Sequence, residues 1–452
     1  MKKIKSISIL ILSAIVFTQI SFAQKKSAYE MNIEGVKVIV QPSANDIVVI
    51  QTVFKGGVQN YPENKSGIEK MGFQALTECG TINDDKNSFK NKLDKVSAQV
   101  YGNSGMDMSS LTMNCIRSDF ETVWPLYADA LSSPRFDSKE FERIRQDAIN
   151  EIKANESQPD YAIDKYARKL AFNGKNYAKD PEGTEAIIKQ LSVAETKAHY
   201  SSILTRSRIF FVVVGEIDKA DLEKKLGDLI RKIPAGKPID FKKEAYNPSR
   251  NSFSATQKDF ATNYIKGVTG GPLPGSPDYD AFNLAMRIFA NKYFIEVRTK
   301  NGLSYAPGAW FDGSTTATAN ISVSTTEPDK YIAVTQSLIN KLKSEGFTEE
   351  EVKNEKIGYV TGFYYRQEMN GSQASSLANN EALFGNWKRA LTIKDEINKV
   401  SVTDINKAFN KYMSNITWAY MGNPSKVTQK NFTNPPPPPP PPPSKLKKGT
   451  KG

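Results

Sequence analysis

Histidine is almost missing from this sequence. His199 stands alone among 452 residues, with only two cysteines, Cys79 and Cys115. Any metal motif that needs two histidines is therefore excluded. A site assembled from Cys79, Cys115 and His199 has no spacing to recommend it. A Ser–His–Asp hydrolase would have to use His199 as its base, and neither G-x-S-x-G nor a phosphate loop occurs. Long apolar runs are also missing. The run from Ile7 to Phe17 is too short to span a bilayer, and no later stretch is longer.

What is present describes a soluble globular chain, with 39% apolar and 24% charged residues. Its length predicts at least two domains. The formal charge of +12 shrinks once it is located. Lys2, Lys3 and Lys5 lie at the start, and Lys445, Lys447, Lys448 and Lys451 at the end, which leaves the body near +5. No basic stripe with interleaved aromatics remains, so nucleic acid is not an expected partner. The basic start, the apolar run and Ser21-Phe22-Ala23 together read as a secretory signal over 1–23. The mature chain is expected to begin near Gln24, to be exported to a periplasm, and to carry no transmembrane anchor. Export permits a disulfide between Cys79 and Cys115, but two buried thiols fit equally well.

An internal repeat organises the body. Ser192-Val193-Ala194-Glu195-Thr196 recurs 209 residues later as Ser401-Val402-Thr403-Asp404-Ile405, each a capping box opening a helix. A β-branched or aromatic run ending in glycine follows both, at Ile209 to Gly215 and Thr417 to Gly422. At the same offset Phe120 to Trp124 falls opposite Asp329 to Val334, and the Gly67 segment opposite the one near Ser276. The body thus divides into 28–234 and 253–430, joined by a linker over 235–252. Each half reads as strands, helix, strands, helices, strand, an α+β arrangement of two duplicated α/β sandwich halves. Nine prolines, Pro435 to Pro443, then predict a polyproline II rod ahead of a basic tail, over 431–452.

The segment from Gly56-Gly57 through Ser66-Gly67-Ile68 to Glu78-Cys79-Gly80-Thr81 resembles the signature region of the insulinase/pitrilysin metallopeptidases. The resemblance runs through the whole body, because that family's protomer is a duplicated α+β unit. It implies a helix carrying an inverted zinc motif, H-x-x-E-H. Periodicity independently predicts a helix here, with Ile68, Met71, Gly72, Ala75 and Leu76 as one core-facing stripe. Lys70, Phe73 and Gln74 lie off that stripe, at the spacing two histidines and a glutamate would need. They supply a cation, a hydrocarbon ring and a poor ligand, so the zinc positions are vacated. The family's third ligand is a glutamate on a following helix, and the resemblance points to Glu151, 77 residues after Gln74. With no metal to bind, Glu151 is expected to pair with Lys70. No metal or other cofactor is expected on this chain. His199 is expected to be structural.

The second half carries Arg298-Thr299-Lys300-Asn301-Gly302-Leu303-Ser304-Tyr305, similar to the family's R-x-x-x-G-L-x-Y segment. There the resemblance gives Arg298 and Tyr305 the role of hydrogen-bond donors to substrate and oxyanion. A plain helix terminus, with Gly302 as cap and Tyr305 packed on a sheet, is the competing reading. The chain is expected to be the non-catalytic subunit of an insulinase-family peptidase, lending this pair to a homologous zinc-carrying partner that cleaves peptides. The alternative is a stand-alone, non-enzymatic peptide-binding or scaffold protein of the same fold.

Overall fold

The computed structural model describes residues 27–434. The expected signal segment, through residue 23, and the polyproline run lie outside them. In the first half β1 (Tyr29–Ile33), β2 (Val36–Gln41) and β3 (Ile47–Lys55) lead to α1 (Ile68–Glu78) and α2 (Lys86–Asp94). After β4 (Gln99–Ser104) and β5 (Met108–Ile116) come α3 (Phe120–Ser132), α4 (Ser138–Glu156) and α5 (Pro159–Ala171). Then α6 (Glu185–Gln190) and α7 (Val193–Ile203) precede β6 (Ile209–Val214) and α8 (Lys219–Ile230). The six strands form one sheet in the order β1-β2-β6-β3-β5-β4.

The second half repeats the order with a shorter start. Its strands β7 (Ser252–Gln257) and β8 (Asn263–Gly270) precede α9 (Tyr279–Phe294), which continues as a π-helical turn over Ile295–Lys300. Next come β9 (Gly308–Asp312), β10 (Thr318–Thr325), α10 (Pro328–Glu345), α11 (Glu349–Arg366) and α12 (Asn370–Phe384). The half closes with α13 (Arg389–Lys399), α14 (Val402–Tyr412), β11 (Thr417–Gly422) and α15 (Gln429–Thr433). Its five-stranded sheet has the order β7-β11-β8-β10-β9. Two sheets with matching order and helices between their strands give the two-halved α+β fold that the residues predicted. Both capping boxes form: Ser192 and Ser401 each accept from the third residue on, whose carboxylate reaches back to the cap amide.

The strand Ile209–Val214 is Ile-Phe-Phe-Val-Val-Val, buried at every position, pairing parallel with β2 and antiparallel with β3. A strand buried on both faces needs cover on both. Its own half supplies one layer. The other is α12, from the second half, whose Ala374, Leu377 and Ala378 pack on Val49, Val53, Phe210, Val212 and Val214. Small residues let this helix approach closely. The exchange is mutual, because α5 of the first half packs on β8 and β11 of the second. Lys266 of β8 pairs there with Asp164, and Tyr166 Oη meets Ser254 Oγ at 2.8 Å.

A buried carboxylate ties the halves elsewhere. Asp107 accepts from the hydroxyls of Tyr177 and Thr315 and, at 3.4 Å, from the Thr315 amide. Burial raises its pKa above the usual aspartate range, outweighing these donors.

Candidate functional site

The helix α1 carries the first cluster. Its predicted stripe, Ile68, Met71, Gly72, Ala75 and Leu76, is buried throughout. Phe73 is the correction to that picture: it lies off the stripe by periodicity yet is only 1% exposed. The reason is that α1 is enclosed on several sides, by β4, α4 and α7, so more than one face of it is interior. Phe73 packs edge-on against Phe54, with centroids 4.9 Å apart, and against Tyr200 at 5.9 Å. Gly102 of β4 makes this approach possible. A Cβ there would stand 2.1 Å from the Phe73 carbonyl oxygen.

One turn along, Lys70 is brought together with Glu151. Its Nζ lies 3.0 Å from Glu151 Oε2 and also bonds Glu182. Glu182, in the loop before α6, is a partner that sequence reasoning missed; no periodicity marks a loop residue. Gln74, next to Phe73 and one turn beyond Lys70, has its Oε1 buried without a hydrogen-bond partner. So the four residues at the inferred zinc positions take different parts. Lys70 and Glu151 form an ion pair, Phe73 joins the core, and Gln74 points a lone acceptor inward.

A second missed residue is Glu69, buried at 1% exposure on the same helix. Its carboxylate accepts from Ser109 Oγ and, at 3.0 Å, from Asn60 Nδ2, and meets His199 Nε2 at 3.2 Å. His199 also packs edge-on against Tyr61, with ring centroids 6.0 Å apart. Arg208 completes the cluster through Asn60 Oδ1 at 2.6 Å. A buried carboxylate with this many partners is a satisfied structural group. His199 is committed to it. The available signal was an acid beside Ile68 in the first turn of a helix with a long apolar stripe.

In the second half, Arg298 and Tyr305 come together. The guanidinium lies over the Tyr305 ring, 4.1 Å from its centroid, and over Phe294 at 5.1 Å. Gly302 adopts φ 62°, the left-handed cap that ends the helix, with its amide bonded to the Arg298 carbonyl. The competing sequence reading is thus half realised: the glycine cap is there, but Tyr305 is 79% exposed and does not pack on a sheet. Among the described residues no carboxylate pairs with Arg298. No hydrogen bond, ion pair or ring contact joins this pair to the Lys70 cluster.

Cys79 and Cys115 are free and buried in the first core, which decides between the two sequence readings. Burial pushes both thiols up to about 12. No helix among the described residues is long and apolar enough to cross a membrane.

Residues 37–185 match the family model described as insulinase, peptidase family M16. Residues 190–359 match the one described as the peptidase M16 inactive domain. The chain belongs to the insulinase (M16) peptidase family. Its fold is shared with a crystal structure of a peptidase M16 inactive domain from Pseudomonas fluorescens (TM-score 0.80, 16% identity, 89% of this chain and 99% of that one). A protease from Helicobacter pylori is similar (TM-score 0.79, 14% identity, 88% and 99%). So is the periplasmic protease PqqL from Escherichia coli (TM-score 0.75, 14% identity), where 88% of this chain covers 47% of that one. At such identities the likeness is one of fold. No curated protein sequence matches the chain.

The family implies zinc, and the residues present do not fit it. At the positions inferred from the resemblance, a cation stands first and already pairs with Glu151, the carboxylate inferred as the third ligand. The remaining position offers an amide oxygen and the catalytic position a phenyl ring. No hydrolytic step can be derived through such a donor set.

Proposed function

We propose that this chain is a non-catalytic subunit of an insulinase-family zinc peptidase, exported to the periplasm, that lends Arg298 and Tyr305 to a zinc-carrying homologue. The observation that carries this reading is the state of Arg298. Its guanidinium lies over an exposed tyrosine ring, 4.1 Å from the centroid, and no acid among the described residues pairs with it. Five donors kept clear in this way suit a peptide carbonyl and the oxyanion that develops from it. A helix terminus with only a structural role has no need of them. The ion pair at Lys70 supports the other half of the reading, because it removes both the vacancy and the ligands that a metal would need.

Cleavage of an unstructured peptide by this chain, by a homologue bearing intact H-x-x-E-H, and by the two mixed tests the proposal. The mixture should exceed the homologue alone, and Arg298→Ala should cost about 10²–10³-fold in kcat, the loss expected for one oxyanion donor. If the mixture is no faster than the homologue, or is indifferent to Arg298, the proposal is wrong. In that case the scaffold alternative takes its place.

A further inference from the structure

The outer face of the first sheet is only partly covered. α12 packs chiefly on β2, β6 and β3, with Met108 of β5 at its margin. Beside it, between the flank of α12 and the exposed face of β4 and β5, lies a cavity of about 730 Å³. That volume is in the range of sites for small ligands, about 300–1,000 Å³. Its lining is unusual in chemistry: five asparagines and three serines surround Tyr101, and Arg366 is the only charged residue. Neither part of the proposed peptidase machinery contributes to it.

The groups available for binding can be counted. Asn370 is committed, donating to the Ile47 carbonyl and accepting from Ser43 at 2.9 Å. Asn380 and Asn45 are committed too, Asn380 donating to the Ser376 carbonyl at 2.9 Å and Asn45 accepting from the Ile47 amide at 3.0 Å. The side chains of Asn114, Asn379, Ser372, Ser375 and Ser376 have no hydrogen-bond partner among the described residues. Asn114 stands on β5 and Tyr101 on β4 with side chains on one face, since Tyr101 pairs with Thr112 and Gln99 with Asn114. Tyr101 is 47% exposed, and its ring forms a wall of the cavity. On the same face Gln51, paired with Thr112, leaves Oε1 buried and without a partner.

We infer that this cavity binds a neutral oligosaccharide. Each free amide offers a planar donor and acceptor side by side, which matches two adjacent sugar hydroxyls. The serine hydroxyls serve as donor or acceptor as required. The Tyr101 ring offers an electron-rich face to the C–H face of a pyranose while its hydroxyl stays wet. A charged ligand would find only Arg366, and an apolar one only Ile47 and Met369. A peptide is less suited. The free backbone groups of edge strand β4 lie in the plane of the sheet, so a strand adding there would run along the edge and not enter this face.

The test uses the mature chain, with chitotriose, cellotriose and a short serine-rich peptide as probes, read by saturation-transfer NMR and calorimetry. At least one trisaccharide should bind with Kd of about 1 mM or tighter, and Tyr101→Ala and Asn379→Ala should each weaken it about tenfold. Both side chains are exposed, so an unchanged melting temperature will show that the variants fold. Failure of both trisaccharides to bind overturns the inference, as does binding that survives both substitutions. Binding of the peptide alone, lost in Tyr101→Ala, also overturns it and makes the cavity a peptide site.

Discussion

Replacing Lys70 with methionine removes one charge from the point where Glu151 and Glu182 converge, while leaving most of the side-chain stem. The side chain of Lys70 is 17% exposed, that of Glu182 27% and that of Glu151 51%. A hydrogen bond to a charged group contributes about 1.5–3 kcal/mol, and the Glu182 contact belongs near the lower figure because water still reaches it. The Glu151 contact is half in water and contributes about 0.5 kcal/mol. Lys70→Met should therefore destabilise the first half by about 2 kcal/mol, Glu182→Gln by about 1.5 and Glu151→Gln by about 0.5. In a unit of about 200 residues, the loss at Lys70 lowers the melting temperature by about 4–8 °C. Urea titration is the assay, with the midpoint falling at constant slope. A loss at Lys70 below about 0.5 kcal/mol would show that the ion pair contributes no stability. A larger loss at Glu151 than at Glu182 would show that exposure does not rank these contacts.

Leu377, 1% exposed where α12 crosses the other half's sheet, should cost about 2–5 kcal/mol when changed to alanine. Calorimetry should then resolve two transitions, and a single undisturbed transition would mean that the exchanged helix does not couple the halves. Cys79 and Cys115, with pKa values raised to about 12, should resist iodoacetamide at pH 8 in the folded chain and react fully in urea. Rapid labelling of either native thiol would contradict their burial. Glu195 should titrate at about 2, held there by Lys65 first and then by the Ser192 cap. A depressed carboxylate pKa stabilises the fold above its unfolded value of about 4.3, and that contribution fades as pH falls through about 2. A carboxyl NMR titration with a midpoint near 4 would refute the cap and ion pair together.

How much of this was legible depends on the kind of signal. The duplication was written in two capping boxes 209 residues apart, because cap chemistry is local and leaves a local mark. The apolar stripe of α1 was legible for the same reason. Phe73 was misplaced because periodicity finds one buried face and assumes that the opposite face is wet, whereas this helix is surrounded. The exchange of α5 and α12 left a trace only in the wholly apolar β6, which requires cover on both sides but does not say where the cover comes from. The pairing of Lys70 with Glu151 could be anticipated from an inward carboxylate in need of a cation. The involvement of Glu182, and of Glu69 with His199, rests on tertiary approach across more than a hundred residues, and nothing local records it.

At the positions inferred from the family resemblance for zinc, the helix α1 holds an ion pair and part of the core. Metal content tests this most directly. The purified chain, equilibrated with zinc and passed through a desalting column, should carry far less than one zinc per chain by mass spectrometry. Stoichiometric zinc that is lost in Glu151→Gln would contradict the account.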